Sequence, residues 1–398
     1  MLWKIARLTA VVSPLAVGLA VLALGTPGGD AQSRLPRTVV WTAYDVGSAG
    51  YIQAASIGHA MAAKEGTTVR VIPAGNDVSR QAPLAAGRAH FGALGIAAFL
   101  SQEGVFEFAA TDWGPQPVRI LGAAWGDFNT GNVAAAGDAG IKTVGDLKGK
   151  RVAWVVGAPA LNQNMTAFLA CANLTWNDVK KTDFPSWGAS GRAVIEGQAD
   201  AYIASTNSGV VYELAASPRR YVAATVPSPK EDPACWERLR KAAPYFEYNR
   251  ATVGAGTISK ESPHQGATYG YPIITAYDKQ PADIVYHQTR LIYDLLPEYV
   301  KAHPGNDGFA LDKQRFTWVI PYHEGAIRYF KEKGAWTAEM QKHNDHLLKR
   351  QEVLQQAWDR ALAEASEKKL KAADIAKHWM TVRGGALKAA GFEPYWEQ

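Results

Sequence analysis

The most constraining feature of the sequence is an order of predicted elements that occurs twice. An apolar strand from Val39 leads through a turn into a helix, then a second strand, a second helix and the segment Gly-Arg-Ala-His-Phe at Gly87. The order begins again at Val152, 113 residues after Val39, and reaches Gly-Gln-Ala-Asp-Ala at Gly197, 110 residues after Gly87. Strands that alternate with helices pair in parallel through right-handed crossovers. We therefore predict two similar α/β lobes, each a mainly parallel sheet flanked by helices.

The chain crosses between the predicted lobes twice, so the lobes can close about a pair of hinges. A strand at 118–125 leaves the first lobe, a loop with many Gly and Ala residues follows at 126–140, and the return lies near 269–277. Ligands of open α/β sheets bind outside the carboxyl ends of the strands. Facing lobes would therefore bring four turns to one cleft, and these turns are residues 47–51, 75–77, 158–162 and 185–188.

The first of these turns, Gly-Ser-Ala-Gly at 47–50, stands before an Ala-rich helix. Amides at a helix N-terminus have no intrahelical partner and carry the positive end of the helix dipole, so they suit an anion. We expect Ser48 and the amides of Gly50 and Tyr51 to hold a carboxylate, with the Tyr51 ring over the ligand. The alternative for Tyr51 is an aromatic packed between strand and helix.

The other candidate contacts follow predicted strands or open predicted helices, and they are Asn76, Asp77, Arg80, Asn162, Trp187, Arg192, Ser205, Thr206 and Asn207. Asn and Asp at such positions either cap a helix or reach the cleft. The Trp187 ring offers a flat wall for a ligand. Arg80 and Arg192 either pair with a second acidic group of the ligand or form a salt bridge within the protein.

The N-terminus has the pattern of a secretory signal. Lys4 and Arg7 precede an apolar run at 8–24, and small residues after it predict cleavage after Ala31. The alternative is an uncleaved anchor, because the run approaches the roughly 20 residues that span a bilayer. Pro14 within the run favours cleavage, so we expect an exported, periplasmic chain. In an oxidising compartment Cys171 and Cys235 either form a disulfide or remain two buried thiols.

Motifs of enzyme chemistry are missing from the sequence, and we predict no catalytic residue, cofactor or metal. No Gly-x-Ser-x-Gly elbow or P-loop is present. His343 and His346 share a helix face but lack the other residues of a zinc motif. The net charge of +5 is scattered, which excludes a nucleic-acid stripe. Paired carboxylates have no local pattern, so an exported enzyme stays an alternative.

The ordered motifs resemble the TAXI family of solute receptors, which serve TRAP transporters. The resemblance rests on segments in the family's order at 47–51, 73–76, 87–91, 146–152, 196–201 and 321–332. It implies a type II periplasmic binding fold, capture of a small organic acid or amino acid, and delivery to a TRAP permease. The chain departs from the family at Gln53 and at 158–162. An ABC-type receptor for a sulfonate, nitrate or a pyrimidine precursor is the alternative.

These expectations give a domain map with four parts. Residues 1–31 form the signal peptide, residues 32–126 with 268–343 form lobe 1, and residues 127–267 form lobe 2. Residues 344–398 form a helical extension that packs on lobe 1. A helix with apolar residues at Leu347, Leu354 and Ala361 begins this extension.

Overall fold

The computed structural model describes residues 35–397. The predicted signal peptide and its cleavage site lie outside these residues. Within them, no helix combines the length and the apolar character that crossing a bilayer requires.

The described chain alternates strands and helices. The strands are β1 Thr38–Ala43, β2 Thr68–Pro73, β3 Phe91–Leu94, β4 Val118–Ala123, β5 Asn132–Ala136, β6 Arg151–Val155, β7 Lys180–Phe184, β8 Ala201–Ala204, β9 Tyr221–Ala223, β10 Glu247–Ala251, β11 His264–Thr268 and β12 Ile273–Tyr277. The helices are α1 Ala49–Glu65, α2 Asp77–Ala85, α3 Ala97–Glu103, α4 Pro159–Cys171, α5 Trp187–Ile195, α6 Gly209–Ala216, α7 Pro233–Ala242, α8 Ala282–Asp294, α9 Leu296–Tyr299, α10 Glu324–Glu332, α11 Ala338–Glu367 and α12 Ala372–Ala389.

Two five-stranded sheets share one topology. The first has the order β2-β1-β3-β12-β4 and the second the order β7-β6-β8-β5-β9. In each, three strands run parallel and the fourth in order is antiparallel to both its neighbours. A hairpin of β10 and β11 completes the strands. The predicted pair of mainly parallel α/β sheets flanked by helices is confirmed.

The sequence analysis predicted no strand at β5, β9, β10 or β11, and β5 is the one that lies inside a sheet. β5 occupies Asn132–Ala136, inside the segment predicted as a Gly- and Ala-rich loop, and all five of its residues are buried. It lies between β8 and β9, in antiparallel pairing with both. Small side chains suit a strand covered on both faces, and this strand, with Val133 as its single β-branched residue, lacks the apolar alternation that marks other strands.

Each sheet is covered by apolar side chains of its helices. In the first sheet the fully buried Trp41 of β1 lies 6.0 Å from Phe91 of β3, measured between ring centroids. Ile57 and Met61, four residues apart on α1, are fully buried. In the second lobe a disulfide joins two helices, linking Cys171 at the end of α4 to Cys235 in α7.

A buried ionic cluster holds the last two long helices against α3. Glu103 of α3 accepts two hydrogen bonds of 2.7 Å from Arg350 of α11, and Arg383 of α12 donates to the same carboxylate. Burial acts to raise the pKa of Glu103, but the two guanidinium groups together hold that pKa below its ordinary value. The cluster therefore contains a carboxylate that stays ionised.

Candidate ligand site between the lobes

The turns at the carboxyl ends of the two sheets meet and form hydrogen bonds across the cleft. The amide of Gly209 donates to the carbonyl of Gly47 at 3.0 Å, and the amide of Trp187 donates to the carbonyl of Gly75 at 3.0 Å. The amide of Asp77 donates to the carbonyl of Gly157 at 3.1 Å. The structure is therefore a closed form, with the two sheets joined over the space between them.

Two helices that flank the second sheet each have a carboxylate from the first lobe at their N-terminus. Asp77 Oδ2 accepts a 2.7 Å hydrogen bond from the amide of Ala160 in the first turn of α4. Asp45 Oδ2 accepts a 3.0 Å hydrogen bond from the amide of Gly188 in the first turn of α5. Helix N-termini attract anions through unpaired amides and the helix dipole. In the closed form the protein's own carboxylates fill these two positions.

Asp77 also belongs to a fully buried ion pair with Arg80. Tyr44 donates a 3.0 Å hydrogen bond to Asp77, and the Arg80 guanidinium carbon lies 3.0 Å from the centroid of the Tyr44 ring. Burial raises the pKa of Asp77, although Arg80 and the Ala160 amide act to lower it. Arg80 therefore forms the salt bridge that the sequence left as its alternative. Its Nε and Nη1 atoms are buried with no partner among the described residues.

A small cavity lies between the lobes beside this ion pair. Its water-accessible volume is about 20 Å³. The lining comes from both sheets and both crossings and is rich in hydroxyl groups and aromatic rings, and it consists of Tyr44, Ser48, Thr130, Gly131, Leu161, Trp187, Ile203, Ala204, Ser205, Ser208, Tyr269 and Tyr271. Ser48, Trp187 and Ser205 are the predicted residues that line it.

The N-terminus of α1 is arranged differently from the prediction. The amide of Tyr51 donates to Ser48 Oγ at 3.1 Å, so Ser48 caps its own helix. The Tyr271 hydroxyl lies over the same helix end, because a Cβ added to Gly50 would be only 2.5 Å from that oxygen. Burial raises the pKa of Tyr271 to about 12, so the hydroxyl stays protonated. The Tyr271 hydroxyl thus stands where the sequence placed a ligand carboxylate.

The Tyr51 side chain does not cover the cavity. It is half-buried and packs against the apolar core, the alternative for this residue. Asn76 caps α2, because its Oδ1 accepts the Ser79 amide at 2.9 Å. Asn162 is held by the backbone of Val155, to which it donates at 2.9 Å and from which it accepts at 3.0 Å. These three side chains are therefore engaged in the fold.

The remaining predicted residues, Thr206, Asn207 and Arg192, do not line the cavity. Thr206 accepts from the amide of Asn129 and donates to the carbonyl of Val253, which uses its hydroxyl. Asn207 is buried, and neither polar atom of its side chain has a partner in the described part of the chain. Arg192 is exposed and lies beside Gly188 at the edge of the closed cleft.

Sequence reasoning missed the tyrosines that line the site. Tyr44 directly follows β1, so the rule that ligands bind at strand carboxyl ends was a signal for it. Tyr269 and Tyr271 lie in the second crossing, between β11 and β12, and Thr130 lies in the first. Crossings carry no local binding pattern. Trp187 is fixed by a 2.8 Å hydrogen bond from Nε1 to the carbonyl of Ile203.

Residues 35–397 contain no group of three or more His, Cys, Asp or Glu side chains that could hold a metal ion. The duplicated topology, the two crossings and the cavity between the sheets define a protein of the type II periplasmic binding fold. Residues 44–334 match the model of the NMT1-like family. The chain belongs to this family.

Several solved structures are similar at low identity. The alkanesulfonate-binding protein SsuA from Xanthomonas axonopodis pv. citri, bound to MOPS, is 13% identical over 77% of this chain and 96% of its own, with a TM-score of 0.40. A protein from Bordetella bronchiseptica RB50 is 18% identical over 76% and 90%, with a TM-score of 0.42. An ABC transporter periplasmic binding protein from Brucella ovis with glutathione bound is 13% identical over 66% and 70%, with a TM-score of 0.41. Values this low carry no argument about the ligand.

The resemblance to the TAXI family is wrong as an assignment, because the family whose model matches is the NMT1-like family. The short motifs that carried the resemblance mark strand ends and helix starts, which many two-lobed binding proteins share. The TRAP permease, expected as a partner from that resemblance alone, is withdrawn with it.

Proposed function

We propose that this protein is a periplasmic receptor that encloses a small organic anion or amino acid between its lobes and delivers it to a membrane transporter. The observation that carries the proposal is the closed cleft, in which turns of both sheets bond to each other around a cavity lined from both sides. A cleft between two hinged lobes can bury a small solute almost completely when the lobes close over it. The cavity of about 20 Å³ in this closed form is itself only water-sized, so the lobes must sit slightly further apart around the solute. The site offers positioned hydroxyls and rings for recognition.

Arg80, which stacks on the cavity-lining Tyr44, is the group that we propose to attract an acidic solute. Its guanidinium is fully buried, and Nε and Nη1 have no partner in the described residues. Because an unpaired buried donor is costly, a carboxylate or sulfonate that reaches these atoms gains a charge-assisted hydrogen bond. Ser48, Ser205 and Tyr271 would contact the rest of the solute, and Trp187 would form its wall.

The experiment that tests binding is a thermal-shift screen of the mature chain against dicarboxylates, keto acids, amino acids and sulfonates. A solute that binds only the native state raises the unfolding temperature as its concentration exceeds the dissociation constant. The proposal predicts stabilisation by at least one acid and stoichiometric recovery of that acid after hours. Turnover of the bound acid would instead favour an exported enzyme.

The transporter partner that we propose is of the ABC type, the alternative that stands once the TRAP assignment is removed. In cells that depend on this receptor, uptake of the identified solute should stop when ATP is depleted. It should continue when the ion gradient is collapsed with ATP maintained. Uptake that follows the ion gradient would exclude an ABC partner.

A further inference from the structure

The two crossings between the lobes meet beside the cavity. The amide of Thr130, in the first crossing, donates a 3.1 Å hydrogen bond to the hydroxyl of Thr268, which directly precedes Tyr269 in the chain. A Cβ added to Gly131 would lie 3.2 Å from the hydroxyl oxygen of Tyr269, so this oxygen lies close to the first crossing. Thr130 and Tyr269 both line the cavity. We refer to their two side chains as the crossing pair.

Asn164 of α4 holds the hydroxyl of Tyr269. The Asn164 side chain is fully buried between two tyrosines, with Oδ1 2.7 Å from Tyr245 Oη and Nδ2 3.2 Å from Tyr269 Oη. Hydrogen bonds between two oxygens span about 2.5–3.0 Å, and those from a nitrogen to an oxygen span about 2.7–3.2 Å. The shorter distance therefore belongs to the amide oxygen and the longer one to the amide nitrogen. Asn164 thus accepts from Tyr245 and donates to Tyr269.

This orientation of Asn164 leaves the proton of Tyr269 free for the cavity. The Tyr269 oxygen accepts from Asn164, so its own O–H donates elsewhere. Burial raises the pKa of Tyr269, and the phenol therefore stays protonated. Because Tyr269 lines the cavity, a solute there can accept this proton in a hydrogen bond. Tyr269 is therefore a donor toward the solute.

The hydroxyl of Thr130 is buried and unpaired. Thr130 is 1% exposed, and its Oγ1 makes no hydrogen bond within residues 35–397. Natural proteins satisfy such groups with protein atoms, water or ligand. Among the described residues that line the cavity there is no Asp or Glu, so the lining itself carries no carboxylate that would repel an anion. Two hydroxyl donors beside each other then suit an oxygen of an anionic group.

We propose that the crossing pair binds an oxygen of the solute's acidic group, and that Asn164 is a positioning residue that directs the Tyr269 proton to this oxygen. The inference rests on the proposed function and deepens it, because it names neutral donors for the acid in addition to Arg80. Asn164 itself does not line the cavity. Its effect on the solute must therefore pass through Tyr269.

Thr130→Val tests the first member of the pair. The full mature chain is titrated with the acids that stabilise the wild type. The change replaces an unpaired hydroxyl with a methyl group of similar size, so it should not lower the stability of the free protein. It should still weaken acid binding at least about tenfold, because a hydrogen bond to a charged group is lost. An affinity equal to that of the wild type overturns the role of Thr130.

A double-mutant cycle tests the positioning role. Tyr269→Phe and Asn164→Ala should each weaken acid binding, but Asn164→Ala should have no further effect once the Tyr269 hydroxyl is gone. The matched control is Tyr299→Phe, which loses a buried hydrogen bond to the carbonyl of Ile292 without lining the cavity, and it should bind like the wild type. Additive losses from Asn164→Ala and Tyr269→Phe overturn the positioning role.

Neutron diffraction from crystals of the free wild-type chain locates the proton directly and needs no solute. We expect the deuteron of Tyr269 to point into the cavity and an amide deuteron of Asn164 to point at the Tyr269 oxygen. A Tyr269 deuteron directed at Asn164 overturns the assignment of donor and acceptor.

The binding data separate this inference from the proposed function. If an acid binds the wild type, Thr130→Val and Tyr269→Phe with equal affinity, the crossing pair is wrong and the receptor function stands. If no acid binds the wild type, the receptor function fails and the crossing pair fails with it.

Discussion

The carboxylate of Asp77 and the backbone amide of Ala160 form a 2.7 Å hydrogen bond between the two lobes. Asp77 belongs to the first helix turn after β2, and Ala160 to the first turn of α4. An amide of the kind that the sequence assigned to a ligand anion is thus bound by the protein's own acid. In the closed form this hydrogen bond holds the two lobes together without any ligand. The groups that remain for a solute are Arg80 and the hydroxyl groups of the cavity.

Asp77→Ala should destabilise the protein strongly. The change removes the acceptor for Ala160 and leaves Arg80 buried without its counter-charge, and breaking a buried pair costs about 3–5 kcal/mol. Chemical unfolding of the variant and the wild type measures this loss. Asp183→Ala is the control, because both side chains of the Asp183–Lys181 ion pair are exposed. This variant should change the free energy of unfolding by less than about 0.5 kcal/mol. Equal stability of Asp77→Ala and the wild type would contradict the role given to the pair.

Trp187→Phe should weaken solute binding, because Trp187 lines the cavity and its indole is held in place by a hydrogen bond. The indole Nε1 holds the wall in place through Ile203, and its loss leaves that carbonyl unpaired at a cost of about 1–3 kcal/mol. Thermal-shift titration with a stabilising acid reports the affinity. The control is Trp154→Phe, since Trp154 packs on Trp176 away from the cavity lining. Equal affinities of the Trp187→Phe and Trp154→Phe variants would show that Trp187 does not contribute to solute binding.

Reduction of the Cys171–Cys235 disulfide should lower stability by up to about 4 kcal/mol, because the bridge closes a separation of 64 residues in the unfolded chain. Unfolding is followed with and without reductant. The Cys171→Ser/Cys235→Ser double variant should show the lower stability in both conditions. A reductant effect of the same size on that variant would mean that the disulfide is not its cause.

The Glu103 cluster predicts a loss of stability in acid. The pKa of Glu103 is lowered in the folded protein, so its contribution is present above the ordinary value of 4.5 and is lost as pH falls through the folded value. Glu103→Gln should reduce stability near neutral pH and flatten this acid dependence. Unfolding from neutral pH to below pH 4.5 measures both. An equally steep acid profile in the variant would assign the dependence to other carboxylates.

The sequence was informative where the chain is locally regular. The two strand-helix-strand orders predicted both sheets, since periodicity and turn residues report local structure. β5 escaped because Ala and Asn residues buried on both faces look like a loop. At the site, Trp187 and Ser205 were found from strand ends, whereas Tyr269 and Tyr271 come from a crossing and reach the cavity only through the tertiary fold. The partner of Asp77 lies 83 residues away, and no local pattern encodes such a contact.

The central claim is that the lobes close over a bound solute. Without one, the closed form leaves buried polar atoms of Arg80 and Asn207 without a partner among the described residues, so the free protein should open to hydrate them. Small-angle X-ray scattering of the free and the acid-saturated protein measures this most directly. The account predicts a smaller radius of gyration on saturation, with a curve that fits the closed structure. An identical curve for the two samples, or an expansion on binding, would contradict it.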